Sequence, residues 1–286
     1  MVMNVHTETY PAAASRMGGA PAAVVLVHGA GEHCGRYSHV VEKLTSHGIA
    51  VVTGDLPGHG RTEGLRGHVD SFDDYLDAVE GWVRQAEELA ERSGELPGDM
   101  GQDASNAPIA ILGHSMGGLV VIRYLQERAA AHPRIASAVV SSPCLRLSKE
   151  VPGWQRSLAG VLDGLTPRLR MASNIAPSDV SRSPEVIRSY GTDPLNGNKV
   201  SVRWFRELNR AMESACANPQ RITVPMLVMQ AGQDKLVAPQ ETESFYKKLP
   251  VHERHKFVPY PELYHELFNE PEREVVFAEM MNWLLA

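Results

Sequence analysis

The segment "PIAILGHSMGGLVVIRYL", Pro108 to Leu125, places a polar pair between glycines in an otherwise apolar context. The run Ile109 to Leu112 stops at Gly113-His114-Ser115-Met116-Gly117-Gly118, and apolar residues resume with helical spacing at Leu119, Val120, Ile122 and Tyr124. A strand that reverses sharply into a helix while holding one side chain up at the turn needs a strained backbone at that residue. It also needs no side-chain bulk two positions to either side. Gly113, Ser115 and Gly117 form that pattern, the G-x-S-x-G nucleophile elbow, which makes Ser115 the candidate nucleophile; the alternative is a plain tight turn.

A serine hydroxyl attacks only when a base takes its proton, so a histidine and an orienting carboxylate are required. On a parallel sheet of this kind they follow the serine in the order carboxylate, then histidine, each after a later strand. Asp234, in "VPMLVMQAGQDKLV", sits just past an apolar run in a Gly-containing loop, whereas Asp163, Asp179 and Asp193 lie away from any expected strand end. His265, in "VPYPELYHELF", follows the last expected strand, while His252 and His255 precede it. The expected trio is therefore Ser115, Asp234 and His265. Acyl transfer also needs backbone N–H donors aimed at the developing oxyanion. One is expected from Met116, at the N-terminus of the helix after the nucleophile. The other is expected from Ala30, which follows His28-Gly29 after the first long apolar run.

These loops must be held by strands and helices in alternation. Six β-rich runs occur: Ala22 to His28, Gly48 to Asp55, Pro108 to His114, Ala136 to Ser142, Val224 to Ala231 and Arg254 to Tyr260. The first five are almost continuously apolar, as expected of parallel strands covered on both faces. Helical patterns fall at Val40 to Ser46, Phe72 to Arg92, Ser115 to Ala131 and Glu274 to Leu285. The fold class is α/β, a mostly parallel central sheet flanked by helices, with ligands gathering at the carboxyl ends of the strands. The stretch Glu91 to Pro108 reads as a solvated loop. The span from Leu145 to about Ile222 is too long for an ordinary crossover. Its apolar spacing at Trp154, Leu158, Leu162 and Leu165 reads as an inserted helical cap, or else as an additional βα unit or a helix packed on the core. The expected organisation is core 1–144, cap 145–222 and core 223–286.

With 43% hydrophobic and 22% charged residues over 286 positions, the chain has the composition of a globular protein. A formal charge of −6 without a basic cluster argues against nucleic acid as a partner. The 12 histidines lack metal-site spacing, so no metal is expected. Cys34, Cys144 and Cys216 are odd in number and far apart, which suits a reducing compartment and buried apolar roles. No secretory signal and no membrane span is expected, and the expected location is cytoplasmic, with peripheral membrane contact.

The motifs "HGAGEHCGRY", "GDLPGHGRTEG", "LGHSMGG", "SRSPEVIRSYGTDPL", "AGQDKLV" and "LYHEL" together resemble the monoacylglycerol lipase family of α/β-hydrolases, in that family's order. The resemblance covers about Val24 to Leu285. It implies serine esterase chemistry on monoacylglycerols, no cofactor, and a mobile amphipathic cap over a hydrophobic acyl tunnel, and the cap's apolar spacing reads as a face in transient contact with a lipid interface. It matches Ser115, Asp234 and His265 to the catalytic trio, and Ala30 and Met116 to the oxyanion donors. It also implies that Glu32, Arg36 and Tyr190 face the glycerol end of the substrate, although all three could be structural hydrogen-bonding residues. His59 reads as a turn residue. Thr62 replaces the usual serine, and Phe268 stands where some members carry a second histidine. A carboxylesterase of short soluble esters, a general carboxylesterase or lysophospholipase on medium-chain esters, a serine aminopeptidase or other amidase with the same trio, and a non-catalytic hydrolase-fold binding module are the rival expectations.

Overall fold

The long apolar runs become the inner strands of a seven-stranded sheet in the computed structural model, which describes residues 4–16, 20–93, 106–149 and 160–286. In chain order the strands are β1 (Thr7–Tyr10), β2 (Ala23–Val27), β3 (Ala50–Gly54), β4 (Ile109–His114), β5 (Ile135–Ser141), β6 (Arg170–Ala172), β7 (Lys199–Ser201), β8 (Met226–Ala231) and β9 (Lys256–Tyr260). The main sheet has the order β1-β3-β2-β4-β5-β8-β9. Every pairing in it is parallel except that of β1 with β3. The short edge strand β1 was not evident in the sequence, because "TETY" carries too little apolar signal.

The principal helices are α1 (Ser38–Thr45), α2 (Asp73–Ser93), α3 (Met116–Glu127), α4 (Pro177–Val180), α5 (Pro184–Thr192), α6 (Val202–Ala217), α7 (Pro239–Tyr246) and α8 (Arg273–Leu285). Alternate residues of each strand serve opposite cores, since successive side chains point to opposite faces. Val25, Val27, Ile109 and Ile111 pack with α2, α3 and α6, while Val24, Leu26, Ala110 and Leu112 pack with α1 and α8. Strands covered on both sides must be apolar throughout, and β2, β3, β4 and β8 are buried at every position.

From β2 the chain crosses to β3 on one side and later to β4 on the other. The loops after β2 and β4 therefore diverge at neighbouring strand ends, the place where open α/β sheets form a crevice. Between β5 and β8 the chain leaves the sheet for α4 to α6 and the small antiparallel pair β6–β7. Neither strand of that pair is fully buried. Trp154 and Leu158 lie outside the described residues, as do 94–105 of the expected surface loop. No helix among the described residues is long and apolar enough to cross a membrane.

Trp82 ties α2 to the sheet edge: it is 1% exposed, and its indole Nε1–H donates to Thr7 Oγ1 at 3.0 Å. Trp82→Ala is expected to lose about 3–5 kcal/mol of stability, and Trp82→Phe markedly less, as read from urea unfolding monitored by circular dichroism.

Candidate active site

The turn after β4 is built by close approach. A Cβ on Gly117 would lie well inside contact distance of the Val27 and His28 carbonyl oxygens, and one on Gly113 would strike the Gly117 carbonyl. Ser115 between them has φ 55° and ψ −120°, a conformation non-glycine residues avoid. It is held there by its own peptide: Ser115 N–H donates to Ser141 O at 2.9 Å, and Ser115 O accepts from Cys144 N–H at 2.9 Å and from Leu119 N–H at 3.1 Å. Met116 opens α3, where the first amides of a helix have no intrahelical acceptor. Ala30, Ser115 and Met116 border one cavity of about 600 Å³.

Asp234 and His265 meet across the ends of β8 and β9, with His265 Nδ1 2.7 Å from Asp234 Oδ2. Asp234 Oδ1 accepts the amides of Leu236 and Val237, both at 2.9 Å. Burial would raise this carboxyl group's pKa, but His265 and those amides hold it below the ordinary carboxylate value. Burial would likewise lower that of His265, yet the charges of Asp234, Glu266 and Glu32 raise it above the ordinary histidine value. The His265 ring lies 4.7 Å, centroid to centroid, from that of His114, the residue before Ser115. Burial and the neighbouring His265 push His114 down to about 4, so His114 is neutral at physiological pH.

The competing acidic residues are engaged elsewhere. Asp163 pairs with Arg203 and Arg206, Asp193 lies 2.9 Å from His33 Nε2, and Asp179 approaches Lys235 at 3.9 Å. His255 Nδ1 accepts the Met226 amide at the opposite, amino-terminal end of β8. His59 is a buried turn residue whose Nδ1 faces Pro57 O at 3.0 Å, and burial drives its pKa down to about 3. The Thr62 hydroxyl donates to Asp55 O within the same turn. Phe268 stacks on Phe277 in the core.

Glu32, Arg36 and Tyr190 gather in one cluster beside the site, and none of them borders the 600 Å³ cavity. Of the apolar spacing read as a cap helix, Leu162 borders the cavity, whereas Leu165 is 75% exposed. Trp204, Phe205 and Leu208 of α6 also line it. Their spacing in "VRWFRELNRAM" signals an amphipathic helix but not a cavity wall. Cys144 borders the cavity as a buried side chain whose pKa burial pushes up to about 12.

A serine elbow after a central parallel strand, a carboxylate–histidine pair after two later strands and this strand order define an α/β-hydrolase. The family model described as serine aminopeptidase, S33, matches residues 18–272. Phospholipase YtpA of Bacillus subtilis (strain 168) is 39% identical over 257 residues, 90% of this chain and 92% of that protein. A monoacylglycerol lipase of Mycolicibacterium smegmatis is 32% identical over 265 residues, 92% of this chain and 88% of that one. The crystal structure of Paleococcus ferrophilus monoacylglycerol lipase is similar with a TM-score of 0.82 at 29% identity, covering 99% of each chain. The chain belongs to the monoacylglycerol lipase family of α/β-hydrolases, a family of carboxylic ester hydrolases.

Gly117→Ala is expected to force the β4–α3 turn away from β2, costing about 1–3 kcal/mol and lowering esterase turnover roughly a hundredfold through misplacement of Ser115. Thermal melts and p-nitrophenyl ester hydrolysis on the same preparation check both.

Proposed function

We propose that the protein hydrolyses the ester bond of monoacylglycerols, releasing glycerol and a fatty acid. The observation that carries this reading is the cavity. Ser115, Ala30 and Met116 line it together with Leu162, Trp204 and Leu208 of the segment between β5 and β8. An aliphatic chain threaded there buries about 0.8 kcal/mol worth of apolar surface per methylene. The segment 145–222 acts as a cap in this reading, with its outward Val161 (61% exposed) and Leu165 (75%) facing a lipid surface.

His265, oriented by Asp234, takes the proton of Ser115 as its Oγ attacks the ester carbonyl carbon. The amides of Ala30 and Met116 hold the resulting oxyanion. Collapse breaks the acyl carbon–oxygen bond, and the departing glycerol oxygen takes the proton from His265. Water then gives a proton to His265 and attacks the acyl-enzyme, and Ser115 recovers its proton as the fatty acid leaves.

Peptide amides fit less well. An aminopeptidase must accommodate a substrate ammonium group, yet the charged residues bordering this cavity, among those described, are Lys149 and Lys235. The same two cations favour a second reading, a lysophospholipid whose phosphate meets them at the mouth while its acyl chain occupies the cavity.

Release of lauric acid from mono-, di- and trilaurin and from lauroyl lysophospholipid distinguishes these readings. Wild-type preference for the monoglyceride is expected, with Ser115→Ala lower by about three orders of magnitude or more. Full activity in Ser115→Ala would refute the mechanism. Lys149→Gln/Lys235→Gln losing only lysophospholipid turnover would favour the second reading. Leu162→Ser/Leu208→Ser is expected to depress hydrolysis of C12 esters about tenfold more than that of C4 esters. Equal loss would show that these leucines serve packing rather than acyl binding.

A further inference from the structure

Glu266, the residue after His265, is 4% exposed, and its carboxylate is fully engaged. Arg36 Nη1 and Nη2 donate to it at 2.7 and 2.8 Å, and Asn269 Nδ2 at 2.9 Å. Arg36 Nη1 also donates to Glu32 Oε2 at 2.6 Å. Glu32 Oε1 in turn accepts the Gly29 amide at 2.5 Å and the Tyr37 hydroxyl at 2.6 Å. The Tyr190 ring covers the guanidinium at 4.7 Å. A buried ion cluster is a poor source of stability compared with apolar packing of the same volume. This one instead connects two loops 230 positions apart in sequence: the one carrying Ala30 and the one carrying His265.

We propose that Arg36 and Glu266 are positioning residues for the hydrolytic reaction: the chain Gly29–Glu32–Arg36–Glu266 fixes the Ala30 amide and the His265 imidazole on either side of Ser115, and leaves one net negative charge beside that imidazole. Glu32 and Arg36 are then occupied in placing the reacting groups rather than in binding glycerol. The inference rests on the assignment of Ser115, Asp234 and His265 as those groups.

The charged and titratable groups facing His265 come from four directions. Asp234 reaches it from the loop after β8 and His114 from the end of β4. Glu32, Arg36 and Tyr37 approach from the turn before α1, and Tyr190 from α5. On its own loop, Glu266 is adjacent and Glu270 is neutralised by Arg182 at 2.7 Å. His114 is neutral, and burial and neighbouring negative charge keep both tyrosine hydroxyls protonated. The charge at Glu32, Arg36 and Glu266 therefore becomes the adjustable part of the field, and in the wild type these three sum to −1.

His265 works as a base only when neutral, so activity falls on the acid side as pH drops through its pKa. Removing a neighbouring negative charge lowers that pKa and removing a positive one raises it. The experiment is the pH profile of kcat/KM for a monoacylglycerol in Glu266→Gln, Arg36→Gln, the double variant and Arg36→Lys, with thermal melts for each and Ser115→Ala as control. The acid limb is expected to move down by about half a pH unit or more in Glu266→Gln and up by a similar amount in Arg36→Gln. It should return near its wild-type position in the double variant, where the cluster again sums to −1. Arg36→Lys keeps the charge but loses the planar two-pronged contact, so its limb should stay in place while kcat drops about tenfold at nearly constant KM.

Limbs that stay fixed, or that move in the same direction in both single variants, would reduce the cluster to a structural role and overturn the proposal. A Glu266→Gln chain that cannot fold would do the same. If only Arg36→Gln fails to fold, the comparison of Glu266→Gln with the double variant decides. Near-wild-type turnover in Ser115→Ala would instead refute the underlying assignment, an outcome distinct from immobile limbs in a protein whose Ser115→Ala form is inert.

Discussion

The backbone at Ser115 is the constraint to which the rest of the molecule is fitted. A residue at φ 55° and ψ −120° persists only where its surroundings over-determine it. Here β4 stops, α3 starts one residue later, and β2 passes so closely that no side chain fits at Gly117. The strain is offset by what lies below: the three neighbouring strands β3, β2 and β4 have no solvent-exposed residue and are covered by helices on both faces. Such a base has low compressibility, so the Ser115 backbone keeps one position at the cavity that Ala30 and Met116 also border.

Polarity is partitioned accordingly. The sheet interior is mostly apolar, with Thr53, Ser137 and Gln230 among its buried exceptions, while five charged residues, Glu32, Arg36, Asp55, Asp234 and Glu266, lie near the carboxyl ends of its strands. Each has its partners fixed. Asp55 accepts the amides of Cys34 and Arg61, Asp234 those of Leu236 and Val237, and the remaining three satisfy one another. Buried charges require such partners, and fulfilling that requirement stitches loops from distant parts of the chain into one edge. Electrostatics thus does for the loops what apolar burial does for the strands.

What the sequence disclosed divides along the same line. The sheet was legible because buried parallel strands must be apolar throughout, and Ser115 stood out because its elbow excludes side chains on both sides. Asp234 and His265 were legible as positions after strands, a topological argument that needs no contact information. Glu266 was not singled out, although it adjoins His265, because its partner Arg36 lies far away in sequence and nothing local marks the pair. The wall formed by Trp204, Phe205 and Leu208 was missed for another reason: an amphipathic helix shows the same spacing whether it packs on a core or lines a cavity. The edge strand β1 carries too few apolar residues to be recognised without its partner β3.

In the proposed reading the reacting groups and the groups that discriminate substrates occupy different layers, which accounts for relatives with different names aligning along nearly the whole chain. Phospholipase YtpA and the M. smegmatis monoacylglycerol lipase each match about nine-tenths of this chain. A serine, a histidine and a carboxylate at strand ends treat an ester carbonyl alike, whatever alcohol it carries, and fold alone does not select that alcohol. Discrimination must come from residues that meet the parts of the substrate distant from the carbonyl. In the proposed reading those are the apolar wall contributed between β5 and β8 and the cations Lys149 and Lys235, which border the same cavity. That wall is tied to the core loops by backbone bonds away from the turn, Gly197 N–H to Gly31 O at 2.9 Å and Ser201 N–H to Gly67 O at 2.8 Å, so its apolar side chains can change without altering the peptides that hold Ser115.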